Sequence, residues 1–220
     1  MNEYPVMIRL KKKKITVIGG GKVAERKINS LLQAEGNVVV VSPVVTKKIQ
    51  TWVENNQLTW FKKEFEPADV TSSFLVIAAT NKRKINQQVA EAVNEFQLLN
   101  LVDDPEKSNF IVPSSFQQGN LTIAVSTSGS SPGLAKKIKN DLAQQFDDTY
   151  AEYLEFLRAC RDEVKQRVEN PEKRRQVLKE LLRDEFFELT RTGQINERNK
   201  RFLSLLDDEK GRGNHSKGLA

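Results

Sequence analysis

The chain has 220 residues, 38% hydrophobic and 29% charged, which suffices for one sizeable domain plus a smaller one and describes an ordinary, slightly polar globular protein. No apolar run approaches the roughly 18 residues needed to cross a bilayer, so no membrane partner is expected. Met1-Asn2-Glu3-Tyr4-Pro5 lacks the pattern of a secretory signal, and the single cysteine, Cys160, forms no internal disulfide. A cytoplasmic protein is the simplest expectation. The net charge of +6 invites a nucleic-acid reading, but acidic residues are mixed in along most of the chain. The one dense run, Lys11 to Lys14, directly precedes a strand. A basic surface also suits a small substrate rich in carboxylates.

In chain order, Tyr4 to Leu10 reads as a short extended segment. Ile15-Thr16-Val17-Ile18 is β-branched and runs into Gly19-Gly20-Gly21, the pattern of a buried strand entering a tight turn. From Lys22 the period becomes helical, with Val23, Ile28, Leu31 and Leu32 sharing a face and Gly36 as the expected stop. Val38 to Val41 predicts a second buried strand closed by Ser42-Pro43. Ile49 to Val53 predicts a short helix and Leu58 to Phe61 a short strand. Phe74 to Ala79 predicts a central strand, Arg83 to Phe96 a helix and Leu98 to Val102 another strand. This alternation predicts an α/β fold: a Rossmann-like parallel sheet with helices on both faces, covering residues 1–113.

Beyond Pro113 the texture changes. Leu121 to Val125 predicts a strand, Ser126 to Gly133 a loop and Leu134 to Phe146 a helix, within a segment spanning residues 114–148. A small all-helical domain is expected over 149–209. Its stripe is Tyr150, Tyr153, Leu154, Leu157, Cys160, Val164 and Val168. Pro171 is placed to open the next helix, in which Val177, Leu178, Leu181, Leu182 and Phe186 continue to Gly193. A last short helix carries Phe202, Leu203, Leu205 and Leu206, and residues 210–220 read as a disordered tail.

Gly19-Gly20-Gly21-Lys22-Val23-Ala24 fits G-x-G-x-x-A between a strand and a helix, the placement that dinucleotide binding requires. Gly19 permits the turn, Gly21 lets a pyrophosphate approach, and Ala24 lets the helix pack closely. The helix N-terminus offers free N–H groups to the phosphates. The acidic residue that usually ends the second strand of an NAD-selective domain is missing, with Ser42-Pro43 in its place. Ser42 can hydrogen-bond a ribose but repels no 2′-phosphate, so residue chemistry leaves NAD and NADP open. Ala79-Thr80-Asn81 ends a strand with small residues that leave room for a cofactor. The competing reading makes Ala78 and Ala79 tight packing and Asn81 a helix cap. Asp103 lies just past a buried strand on the glycine-loop rim, placed as a general base; Asp103-Asp104-Pro105 is equally good turn chemistry.

Taken together, the motifs carry a resemblance. Tyr4-Pro5-Val6-Met7, Val17 to Ala24 with Arg26-Lys27, and Val40-Val41-Ser42-Pro43 resemble the precorrin-2 dehydrogenase family. So do Ala78 to Asn81, Asn100 to Asp103, Asn109 to Ser114 and Ala124 to Ala135, all in that family's order over residues 4–145. The resemblance implies oxidation of precorrin-2 to sirohydrochlorin with NAD+ in siroheme synthesis. It implies an essential aspartate at Asp103 and a homodimer formed through the segment after the Rossmann domain, near the active site. An acid-free second strand is usual in the family, which implies NAD. A loop of Thr127, Ser128, Gly129, Ser130 and Ser131, ending in a helix N-terminus, suits a polycarboxylate tetrapyrrole; Ser131 before Pro132 also reads as an N-cap.

Some family members also insert ferrous iron. Here the only histidine, His215, is in the expected tail and Cys160 is on an amphipathic helix, so the dehydrogenase alone is expected and no metal site. The rivals are a non-catalytic NAD-sensing module, which needs neither Asp103 nor the Ser/Gly loop, and a nucleic-acid binder. The second lacks aromatics interleaved in its basic stretches.

Overall fold

The computed structural model describes residues 3–211. The chain divides into two compact units, Met1–Val112 and Pro113–Ala220. In the first, β1 (Lys14–Ile18), α1 (Lys22–Gln33), β2 (Asn37–Val41), α2 (Lys47–Glu54) and β3 (Thr59–Phe61) lead to a short 3-10 turn, Pro67–Val70. Then follow β4 (Leu75–Ala78), α3 (Arg83–Ala92) and β5 (Leu98–Leu101). The strands pair in parallel in the order β3-β2-β1-β4-β5, so the path reverses between β1 and β4. The α/β expectation is met.

Period-two alternation divides the core. Ile15, Val17, Val38, Val40, Leu75 and Ile77 face α1 and α2, where they meet Ala24, Ile28, Ile49 and Trp52. Ile18, Val41, Val76, Ala78, Leu99 and Leu101 form the opposite cluster with Val70 and Val89. Both faces of the central strands are therefore dry, which is why they read as continuous apolar runs. Thr16, fully buried, is satisfied by the Ser73 hydroxyl at 2.7 Å.

Tyr4 to Leu10 joins no sheet, and Tyr4 and Met7 are exposed. Two local expectations change. Helix α1 closes before Gly36: Glu35 takes φ +57°, and the Gly36 N–H donates to the Leu31 carbonyl at 3.0 Å. Gly36 is needed for space instead, because a Cβ there would lie 2.4 Å from Ile15 Cδ1. Helix α3 ends at Ala92 rather than Phe96, since Asn94 opens a turn by accepting the Phe96 N–H at 3.0 Å.

The second unit begins with a hairpin that the sequence half conceals: β6 (Ser114–Gln118), for which no strand was expected, pairs antiparallel with β7 (Leu121–Val125). One apolar side chain among five residues gives β6 little strand signal. After the hairpin come α4 (Pro132–Gln145), α5 (Asp148–Arg167), α6 (Pro171–Glu180), α7 (Asp184–Arg191) and α8 (Ile195–Gly211). The single helix expected from Pro171 to Gly193 breaks at residues 181–183. Leu181 and Phe186 both enter the core, and five helical residues would set them about 140° apart. The last helix is longer than expected; residues 212–220 of the expected tail, with His215, lie outside the described residues.

Tyr153, Phe156, Cys160, Val164, Val177, Leu181, Phe186, Phe202 and Leu206 make this unit's core. Burial pushes the Cys160 thiol up to about 12. Arg198 is buried among them, its guanidinium 4.2 Å from the centre of the Phe156 ring and 2.9 Å from Thr190 Oγ1.

Candidate active site

The register places the rim. Ile18 is aligned with Val41 on one side and with Ala78, then Leu101, on the other. The next residues, Gly19, Ser42, Ala79 and Val102, leave their strands at one level along the carboxyl edge, where ligands of open α/β sheets bind. The Gly19 N–H donates to the Val41 carbonyl at 3.0 Å, Ala79 to Ile18 at 2.8 Å and Val102 to Ala78 at 3.0 Å. Gly19 has φ +111°, and a Cβ there would stand 2.5 Å from the Ala79 oxygen. A Cβ on Gly20 would meet the Val44 oxygen at 2.3 Å. These two glycines are packed from within.

Gly21 differs: a Cβ added there would meet nothing within 4 Å. Gly21 is the N-cap of α1 and supplies no side-chain acceptor, so the first N–H groups of the helix face open space. That arrangement fits the pyrophosphate of a dinucleotide, and Ala24, fully buried, seats the helix on the sheet. Lys22 turns back to Glu25 at 3.2 Å, and Val23 is 38% exposed beside it. A hydrogen bond from Thr46, then the Lys22 ammonium, holds the Glu25 carboxyl below its ordinary range against the opposing effect of burial. With the Thr46 N–H donating to the Gly20 carbonyl at 3.0 Å, this ties the glycine loop to the start of α2.

Ser42 is buried and its hydroxyl donates to the Val44 carbonyl at 2.8 Å, while its own carbonyl accepts from Trp60 Nε1 at 2.8 Å. It shapes the turn through Pro43 and Val44. At the end of β4, Asn81 is exposed and does not cap α3; the N-cap is Lys82, without a side-chain bond. The end of β4 is held instead by Asn86, which sequence reasoning missed. Buried in α3, it accepts from the Thr80 hydroxyl at 2.7 Å and donates to the Thr80 carbonyl at 3.1 Å. Its signal was an amide on the buried face of an amphipathic helix.

The pair of aspartates is resolved by geometry. Asp104 is the N-cap of the 3-10 turn Pro105–Lys107, accepting the Lys107 N–H at 3.4 Å and pairing with its ammonium at 3.7 Å. Asp103 is exposed and makes no hydrogen bond or ion pair with the described residues. The turn therefore uses one carboxylate and leaves the other at the rim. Behind it, Ser108 and Asn109 stand in for a further strand along β5. The Leu101 N–H donates to Ser108 Oγ at 2.9 Å, and the Leu99 N–H to Asn109 Oδ1 at 2.8 Å. Asn109 Nδ2 donates to the Gln97 carbonyl at 2.7 Å.

The Ser/Gly loop belongs to the second unit. Ser128 and Gly129 take φ +49° and +82°. Thr127 folds the loop on itself: its carbonyl accepts the Ser130 N–H at 2.9 Å and its hydroxyl oxygen the Ser131 N–H at 3.1 Å. Ser131 is the N-cap of α4, accepting the Leu134 N–H at 3.3 Å. Ser128, Gly129 and Ser130 are exposed. Among the described residues, no group of three or more His, Cys, Asp or Glu is placed to hold a metal ion.

Three family models match in succession. Residues 6–114 match one described as putative NAD(P)-binding, 118–145 the central domain of sirohaem biosynthesis proteins, and 150–191 the SirC C-terminal domain. A precorrin-2 dehydrogenase from Priestia megaterium is 33% identical over 183 residues, covering 83% of this chain and 91% of that protein. The chain belongs to the precorrin-2 dehydrogenase family. A solved structure of SirC, precorrin-2 dehydrogenase, matches with a TM-score of 0.79 at 30% identity, covering 94% of this chain and all of that one. The siroheme synthase of Ruthia magnifica subsp. Calyptogena magnifica is 33% identical over 198 residues, but the chain spans only 42% of its length. As a precorrin-2 dehydrogenase family member the chain is an oxidoreductase, and its first unit is the nicotinamide-dinucleotide domain.

Proposed function

We propose that the chain oxidises precorrin-2 to sirohydrochlorin with NAD+, a step in siroheme synthesis, and that Asp103 is the general base. The observation that carries this reading is the division of labour between the two aspartates. Asp104 alone serves the turn, and Asp103, bonded to none of the described residues, lies past β5 on the same carboxyl edge of the sheet as the open Gly21 past β1.

Gly19 to Ala24 would hold the pyrophosphate against the start of α1, with Ser42, Pro43 and Ala79 to Asn81 flanking it. When bound, the nicotinamide supplies the acceptor for a hydride. The Asp103 carboxylate takes the proton lost from the neighbouring position, so substrate gives up one hydride and one proton and gains a double bond. Exposed at the rim, Asp103 then returns the proton to water. NAD rather than NADP is the cofactor of this proposal, as the family resemblance implies.

The polycarboxylate substrate is assigned to the loop Thr127 to Ser131, whose exposed Ser128, Gly129 and Ser130 precede the N-terminus of α4. A homodimer is supported by the hairpin: each of β6 and β7 has one edge unpaired among the described residues, and neither strand buries a residue. We place the protein in the cytoplasm as a dehydrogenase alone. The deciding experiment is anaerobic incubation with precorrin-2 and NAD+, expected to yield NADH together with the sirohydrochlorin spectrum; no NADH overturns the reading. Metal insertion into supplied sirohydrochlorin without NAD+ is expected to run no faster than the uncatalysed control.

A further inference from the structure

The reversal of strand order between β1 and β4 divides the rim into two halves. Asp103, after β5, marks one half as the place of hydride and proton loss. A dinucleotide anchored at Gly21 must then run its other half over the ends of β2 and β3. The edge strand β3 lies two intervals from β1, about 10 Å at the usual strand spacing. Two large apolar side chains are left uncovered on that side, Val44 at 74% and Phe61 at 50% exposure. Their backbones are tied to one residue, since the Ser42 N–H donates to the Phe61 carbonyl at 3.2 Å and the Ser42 hydroxyl to the Val44 carbonyl.

Phe61 is aligned with Val41, so it shares the sheet face of the Ile18 and Val76 cluster rather than that of α1. The chain leaving β3 then crosses this face. Glu64 reaches Lys82, at the entry of α3, with 3.4 Å between carboxylate and ammonium. The strands these residues follow are three intervals apart, about 14 Å, so the ion pair bridges across the carboxyl ends of β2 and β1. It walls one side of the rim, while the turn from Ser42 to Thr46, bonded to Gly20, walls the other.

We propose that Phe61, with Val44, is the platform on which the adenine of the dinucleotide lies. The inference rests on the dinucleotide reading of this rim and adds the residues that grip its purine half. A flat base with an apolar face stacks on an exposed ring, and the ring loses water that it otherwise keeps in contact. The β2 end, with its buried Ser42 and no carboxylate, offers little polar grip on this half, so the apolar contact carries a larger share of the affinity.

The test is titration calorimetry of the full chain with NAD+ and, separately, with AMP. Phe61→Ala is expected to weaken both about tenfold, roughly 1.4 kcal/mol, and Phe61→Tyr to restore both. Val44→Ser, at a still more exposed position, is expected to weaken both about threefold. In turnover, Phe61→Ala is expected to raise KM for NAD+ and leave kcat unchanged. Unchanged affinity for NAD+ and AMP in Phe61→Ala overturns the platform while the dinucleotide reading stands. Weakening of NAD+ without AMP also overturns it, because the ring then acts elsewhere on the ligand. A wild-type chain that binds neither overturns the dinucleotide reading itself.

Discussion

In the unit Met1–Val112, three central strands are buried along nearly their whole length on both faces, whereas β6 and β7 of the unit Pro113–Ala220 have no buried residue. The first unit closes its core with its own helices. The second keeps its dry core in the four helices α5 to α8 and presents a hairpin of alternating half-buried and exposed residues. The contrast teaches where the chemistry can be held rigidly. A rim carried on buried parallel strands fixes Gly19, Ala79 and Val102, the residue before Asp103, to one level. A two-stranded hairpin is marginal alone and needs a covering surface.

The largest expected effect separates chemistry from stability. Asp103→Asn should lower kcat by about 10²- to 10⁴-fold, with the unfolding midpoint unchanged, because the side chain is exposed and bonded to none of the described residues. Equal turnover would return Asp103 to the turn. Next, Phe156→Ala should cost about 3–5 kcal/mol. Its ring stacks on Phe186, meets Phe202 edge-on and lies under Arg198.

The chain supplies its own reporters for that variant. Both tryptophans, Trp52 and Trp60, are in the first unit and the lone Cys160 is in the second. With the thiol pushed up to about 12 and buried, labelling near neutral pH requires opening of the helical core. Phe156→Ala should advance Cys160 labelling in denaturant and leave the tryptophan transition in place; a common shift would show one cooperative unit.

Smaller effects sharpen the first half of the comparison. Asn109→Ala removes the partner of the Leu99 N–H and of the Gln97 carbonyl at the sheet edge, and should cost about 1–2 kcal/mol in the tryptophan transition. Glu25→Gln should show as a change of slope with pH. The folded carboxyl titrates below its unfolded value, so its contribution is complete above the unfolded value, roughly pH 4.3, and is lost as pH falls through the folded one. Wild type should therefore lose stability more steeply in acid than Glu25→Gln; parallel acid limbs would mean that the Thr46 bond does not hold in solution.

Much of the first unit was legible because its signals are local. A strand buried on both faces must be apolar throughout, as Val38 to Val41 is, and an amphipathic helix must repeat, as Ala24, Ile28 and Leu31 do. Where a local signal was weak or ambiguous, legibility failed. Strand β6 has one apolar residue in five, and the break at Leu181 follows from what Phe186 must reach. Gly36 looked like a helix stop because glycine suits a left-handed residue, yet Glu35 takes that conformation and Gly36 yields space to Ile15.

The candidate site shows the same division. Sequence alone determined that a strand, a glycine turn and a helix follow one another, and that a carboxylate stands just beyond a buried strand, because these depend on residues within a few positions of each other. Two adjacent aspartates satisfy that pattern equally well. Only the tertiary structure decided that Asp104 closes the turn and leaves Asp103 unbonded, that Asn86 rather than Asn81 holds Thr80, and that Phe61 comes to the rim beside Ser42. Those outcomes depend on strand register and on which of several competing partners each polar group meets, and both are settled by contacts between residues far apart in the chain.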